Sequence, residues 1–172
     1  ASSMTLTGGG GATINSGASL TAGDLVLAGG TIGGVGNLSV TNDFIQTSGT
    51  LGTTLANLAL TTNGDFTVGS LQATNSISLT ATGGALLDGN STSANVTAPT
   101  ATLTAANGIS LDTQVSTVTS SNTASGDTSI RNAGALNVTG IAATGLVLVT
   151  TNSGDLTISQ NISTTDATAG AI

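Results

Sequence analysis

A short unit recurs along this chain: a turn residue or two, then alternating apolar positions. It reads GDLVL at 23–27, GNLSV at 36–40, GDFTV at 64–68 and GDLTI at 154–158, with NSISL, NGISL, GALNV and TGLVL as close variants. Alternation of apolar and polar residues over four or five positions specifies a half-buried strand, and the preceding Gly with Asp or Asn specifies a turn. The intervals between units constrain the fold most. Leu6, Leu25, Phe44 and Phe66 are 19, 19 and 22 residues apart; Leu38, Leu58, Ile77 and Val96 are 20, 19 and 19 apart; Leu136 and Leu156 are 20 apart. Two interleaved apolar ladders with a period of about twenty describe a chain that returns to the same side once per coil, as repeat solenoids do. The expected fold is all-β, a parallel β-helix (β-solenoid) with coils of about 20 residues, forming one continuous segment over 1–172.

Composition fits a thin core. Charged residues are 5% of the chain and aromatics 1%, while 38% are hydrophobic and the net charge is only -7. Disordered chains combine low hydrophobicity with high net charge, so this one has surface to bury. The apolar residues are aliphatic apart from Phe44 and Phe66, which are expected to stack inside the core. Strands stacked at about 4.8 Å make eight or nine such coils a rod roughly 40 Å long.

Gly reaches positive φ, and a short Asp or Asn side chain can bond backbone two residues on, so Gly-Asp and Gly-Asn are read as corners. Pro99, the sole proline, cannot donate a ladder hydrogen bond and belongs at a strand start or turn. Residues 88–99 and 113–127 fit the period poorly, which predicts irregular loops there. No run of good helix formers with 3–4 spacing lasts three turns. No stretch reaches the roughly 18 apolar residues of a membrane helix, so no membrane insertion of this segment is expected.

At this point a resemblance enters. LTAANGISLDTQVSTVTSSNTASGDTSIRNAGALNVTG from Leu103, running on to GDLTISQNIST, resembles the repeat regions of large exoproteins of the filamentous-haemagglutinin family. LVLAGGTIGGVGNLSVTNDFIQTSGTL is similar to the glycine-rich coils of the same adhesins and of autotransporter passengers. The likeness implies a right-handed parallel β-helix, export to the bacterial cell surface, typically by two-partner secretion, and a part in adhesion, aggregation or biofilm. It carries over no catalytic residue. The chain starts at Ala1 without an initiator Met, and no basic or apolar leader pattern follows, so a signal peptide is expected to be absent or to lie upstream and the chain is read as an excised or processed shaft segment.

Chemistry is scarce. With no His, Cys, Lys or Glu and a single Arg, general acid–base and nucleophilic catalysis are left with Asp alone, so no enzyme is expected. Arg131 as the only cation excludes nucleic acid as a partner, because phosphate binding needs a basic surface. Asp24, Asp43, Asp65, Asp88 and Asp112 are 19, 22, 23 and 24 residues apart and are the candidates for stacked carboxylates. Such a row matches a polysaccharide-cleaving site poorly, for want of cationic and aromatic partners. It matches a calcium row somewhat better. Solvated corner carboxylates are the plainer account, and no cofactor is expected. Arg131 is expected to pair with Asp112 or Asp127.

Two functions follow. One is a stiff structural shaft of a surface adhesin or extracellular filament, whose uncapped ends meet neighbouring coils or other copies. The alternative is a module binding a carbohydrate or a host or bacterial surface protein along a lateral face, through the irregular 113–127 region.

Overall fold

A computed structural model describes residues 2–167. Its strands, in chain order, are β1 (Ser3–Thr7), β2 (Gly11–Ile14), β3 (Ser19–Gly34), β4 (Asn37–Leu51), β5 (Asn57–Thr62), β6 (Phe66–Val68), β7 (Leu71–Gln72), β8 (Ser76–Ala81), β9 (Leu86–Asp88), β10 (Val96–Ala105), β11 (Ile109–Asn122), β12 (Thr128–Asn132), β13 (Leu136–Ala143), β14 (Val147–Thr151), β15 (Leu156–Ile158) and β16 (Ile162–Thr164). There is no helix among the described residues. Strands about 20 residues apart pair in parallel and stack into a β-solenoid of about eight turns.

Three ladders run along the solenoid. The first joins β1 to residues 24–28 and 43–48, and then, after an interruption, β6 to β9, β11, β12 and β14. A second, shorter ladder contains β2 with residues 31–34, and β7 with the start of β10. The third is unbroken. Leu20, Leu38, Leu58, Ile77, Ala101, Val118, Val138 and Ile158 succeed one another in register, and so do Ala22, Val40, Leu60, Leu79, Leu103, Ser120, Ile141 and Ile162. Within each strand these positions alternate with outward ones, because successive side chains point to opposite faces. Leu25, Leu27, Leu60, Leu79 and Leu103 are fully buried, so the core is the expected stack of aliphatics. Ser120 interrupts its column with a buried hydroxyl that has no hydrogen-bond partner, next to a register shift between Val118 and Ser120.

The periods predicted from sequence are right in scale and wrong at particular residues. Leu6 pairs with Leu27, and Met4 takes the place opposite Leu25. Val96 belongs beside Leu71 in the second ladder, while Ala101 follows Ile77. The cause is the loop 89–95, which lengthens that coil. Its entrance holds Ser91 at φ 68, the only positive φ outside glycine among the described residues.

Residues 113–127 are not a loop. Residues 113–122 finish strand β11, with inward Val115 and Val118 buried, and only 123–127 turn. This coil is the shortest, since Ala101 pairs with Val118, and the short step disguised a regular strand as an irregular one. Residues 88–99 divide differently from the expectation as well. The loop ends by Asn95, and 96–99 lie in β10. Pro99 lies at neither a strand start nor a turn: it sits inside β10, unpaired, where pairing passes from the second ladder to the third.

Corner geometry explains one of the glycine runs. Gly30 has φ +68, and a Cβ there would collide with the Gly10 carbonyl of the preceding coil. Only a residue without Cβ allows the backbones of successive coils to approach so closely.

Candidate functional site

The charged side chains are unevenly placed. The strand segments that pair in the third ladder carry none: their outward positions are filled by Thr, Ser, Asn and Ala, as in Thr61, Thr80, Thr104 and Ser121. A ladder of amides, Asn37, Asn57 and Asn75, bonds across the coils along one margin, with Asn57 donating to Asn37 Oδ1 at 2.7 Å and Asn75 donating to Asn57 Oδ1 at 2.7 Å. Asp24, Asp43, Asp65, Asp88, Asp112, Asp127 and Arg131 lie on the first ladder or at the turns beside it.

The five Asp residues of the candidate row do not form one column. Asp24 and Asp43 are register partners. Asp65 precedes β6, whereas Asp88 ends β9 opposite Val68. Asp112 pairs with Arg131, which donates from Nε to Asp112 Oδ1 at 2.8 Å and from its terminal nitrogen to Oδ2. No group of three or more metal-ligating side chains occurs among the described residues.

What the corner carboxylates do is bind backbone of the next coil. Asp65 Oδ1 accepts from the Ala85 amide at 2.9 Å, and Asp127 Oδ1 accepts from the Leu146 amide at 2.9 Å. Asp43 Oδ1 takes a longer contact, 3.4 Å, from the Asn63 amide. Only Asp88 follows the local pattern expected of corner residues, accepting from the amide of Asn90 two positions on at 2.8 Å. These carboxylates cap amides that a stacked strand leaves unpaired at its entrance.

Hydrogen bonds favour the ionised form of two of them. Asn42 and then Ser3 hold Asp24 below its ordinary value of 3.8, and the Asn90 amide and then the Asn95 side chain do the same for Asp88. A carboxyl whose pKa is depressed by folding contributes stability above its unfolded value, and that stability is lost as pH falls through the lower folded value. Acidification below about pH 4 should therefore weaken the solenoid. The variant Asp88→Asn, which retains an acceptor oxygen, should flatten part of that dependence. Urea midpoints measured by circular dichroism between pH 5 and pH 2 check this; equal slopes for both proteins would contradict it. The Asp112 carboxylate raises Arg131 further above its usual range.

Sequence reasoning missed the buried asparagines. Asn95, Asn122 and Asn132 are 0%, 2% and 0% exposed. Asn95 donates to the Val68 carbonyl at 2.8 Å and to Asp88 Oδ1 at 2.9 Å, while its own Oδ1 accepts from the Asp112 amide at 2.8 Å. Asn122 Oδ1 accepts from the Gly108 amide at 3.0 Å. A faint signal existed: Asn132 precedes Gly134 by two residues and binds its carbonyl, a turn pattern that the abundance of Asn concealed.

A cavity of about 580 Å³ opens where the first ladder is interrupted, between residues 43–48 and β6. Phe44 and Phe66 meet at its floor with ring centroids 6.0 Å apart, tilted by 58°, and are 5% and 8% exposed. They lie in the core, as expected. Comparison of the chain with protein-family models, curated proteins and solved structures finds no match.

Proposed function

We propose that this chain is a shaft segment of a secreted bacterial surface adhesin or extracellular filament, supporting adhesion, aggregation or biofilm by rigidity and reach. The observation that supports this reading is the third ladder, whose two inner columns pass through every coil and whose outer surface is uncharged and rich in hydroxyls. A ladder of that kind resists bending along its whole length and offers little charge for lateral contact.

The natural partner at either end is a neighbouring coil or a further copy of the same repeat. Val138 is fully buried, but Ile158, next in its column, is 57% exposed, and Leu156 is 41% exposed. At the other end Met4, Leu6 and Leu20 are half-buried. Joining the two ends would continue both the columns and the backbone pairing, a head-to-tail contact that does not close on itself.

Cells displaying tandem arrays of increasing copy number provide the test. Each copy should lengthen the projecting rod by about 40 Å, and cell aggregation should rise with array length. Unchanged aggregation would overturn the shaft reading. For the end contact, a molar mass of the purified chain that stays monomeric at every concentration would do the same.

A further inference from the structure

The stacking is incomplete at one place. Residues 43–51 of β4 pair backward with β3, but β4 pairs forward with β5 only through residues 37–40. On the far side, β6 pairs only with β9 and β7 only with β10. Two parallel strand edges thus face one another with no strand between them among the described residues. The register with β3 jumps from Leu27 opposite Gln46 to Ala28 opposite Ser48, so Thr47 is an extra residue in β4. Such a bulge bends its strand and increases its twist, which turns this edge away from the following coil.

The resulting slit has the properties of a binding site for extended backbone. Its volume of about 580 Å³ is that of a short peptide or small ligand. Facing edges of exposed strand present amides and carbonyls ready to pair with another chain. Asp43 and Asp65 are the only charged residues lining it. Each uses one carboxylate oxygen to cap an amide, Asn63 and Ala85 respectively. Ile45, 44% exposed, supplies an apolar rim. A sugar is a poorer fit: the two rings lie buried in the floor, tilted against each other, and offer no open face for stacking. An anionic ligand would meet carboxylates and no cation.

We infer that this slit takes an extended polypeptide segment bearing basic side chains, which adds as a strand to the interrupted ladder with its cations at Asp43 and Asp65. This goes beyond the shaft reading and does not depend on it. Alternate side chains of such a strand would point outward past Ile45, and the intervening ones toward the Phe floor.

The probe is a fluorescein-labelled peptide of alternating Val and Lys, with two controls: its Val and Glu counterpart, and a Val and Lys peptide N-methylated at alternate backbone amides. Anisotropy titration against the 172-residue chain should give saturable binding of the first peptide and at least about tenfold weaker binding of both controls, since one lacks the charge and the other the backbone donors. Hydrogen exchange on the complex should show new protection at 43–48 and β6. Asp43→Asn with Asp65→Asn keeps both amide caps and should weaken binding about tenfold. Asp127→Asn with Asp155→Asn removes the same charge elsewhere and should leave it unchanged. No saturable binding, protection confined to the terminal strands, or equal loss in both double variants would overturn the inference. The last of these outcomes would mean simple attraction to an acidic protein.

Discussion

Replacing Asn132 with alanine is expected to lower the stability of the solenoid by about 3 kcal/mol, because the buried amide and carbonyl of Val115, the Thr113 hydroxyl and the part-buried Gly134 carbonyl each lose a hydrogen bond at once. Asn132 has no exposed surface. Its Nδ2 donates to the Val115 and Gly134 carbonyls, both at 3.0 Å, and its Oδ1 accepts from the Val115 amide and the Thr113 hydroxyl, both at 2.9 Å. One amide therefore satisfies a strand of the preceding coil and the turn that follows its own strand. A buried donor or acceptor left unsatisfied costs roughly 1–3 kcal/mol, and alanine offers neither group. Asn132→Asp should be no better. It keeps the acceptors but loses the donor, and sets a carboxylate against two carbonyls. Urea denaturation followed by circular dichroism is the appropriate assay, since the chain has no Trp or Tyr. A loss below about 0.5 kcal/mol, within the range of ordinary surface substitutions, would show that water replaces the amide without penalty.

The second large effect is expected at Leu79. Leu79→Ala should cost about 3 kcal/mol, within the range for burying a cavity in place of leucine. Leu79 is fully buried between Leu60 and Leu103 in the third ladder. Its position makes the consequence more than local. Between the coil ending at residue 62 and the one beginning at residue 66, the first and second ladders are unpaired, so β5 and β8 carry the strand pairing alone. In a quasi-one-dimensional array, stability is a sum of coil terms and nearest-neighbour interfaces. Weakening the one interface that already lacks two of its ladders should separate the unfolding of the two parts, giving two transitions where a single one is expected of the native chain. Leu148→Ala is the control: this side chain is 57% exposed and its loss should leave the transition in place. A single unshifted transition for Leu79→Ala would refute the argument.

How far the fold was legible depended on side-chain size. Columns filled by large aliphatic residues at similar intervals, such as Leu38, Leu58 and Ile77, were readable, because burial demands the same residue type each time the chain returns. Where a small residue fills the column the reading slipped. Ala101 has little hydrophobic signature, so Val96 was taken in its place, and the regular strand 113–122 looked irregular because its coil is short. The site was less legible still. Phe44 and Phe66 lie in the core as their type predicts, and of the two carboxylates open to Arg131 the structure selects Asp112, but the evenly spaced Asp residues hold different positions along their strands.

The class of fold, the length of a coil and the aliphatic character of the core are legible in the chain alone, since alternation and recurrence are properties of the order of residues along it. Tertiary structure alone decided which residues face one another. The cap from Asp65 to the Ala85 amide, the burial of Asn132 and the slit beside Phe44 all depend on the offset between neighbouring coils. That offset is set by loops and bulges whose lengths shift the register by a residue or more. A shift of one residue moves a side chain from core to solvent, so small local irregularities, invisible in a repeat, select the chemistry each position can perform.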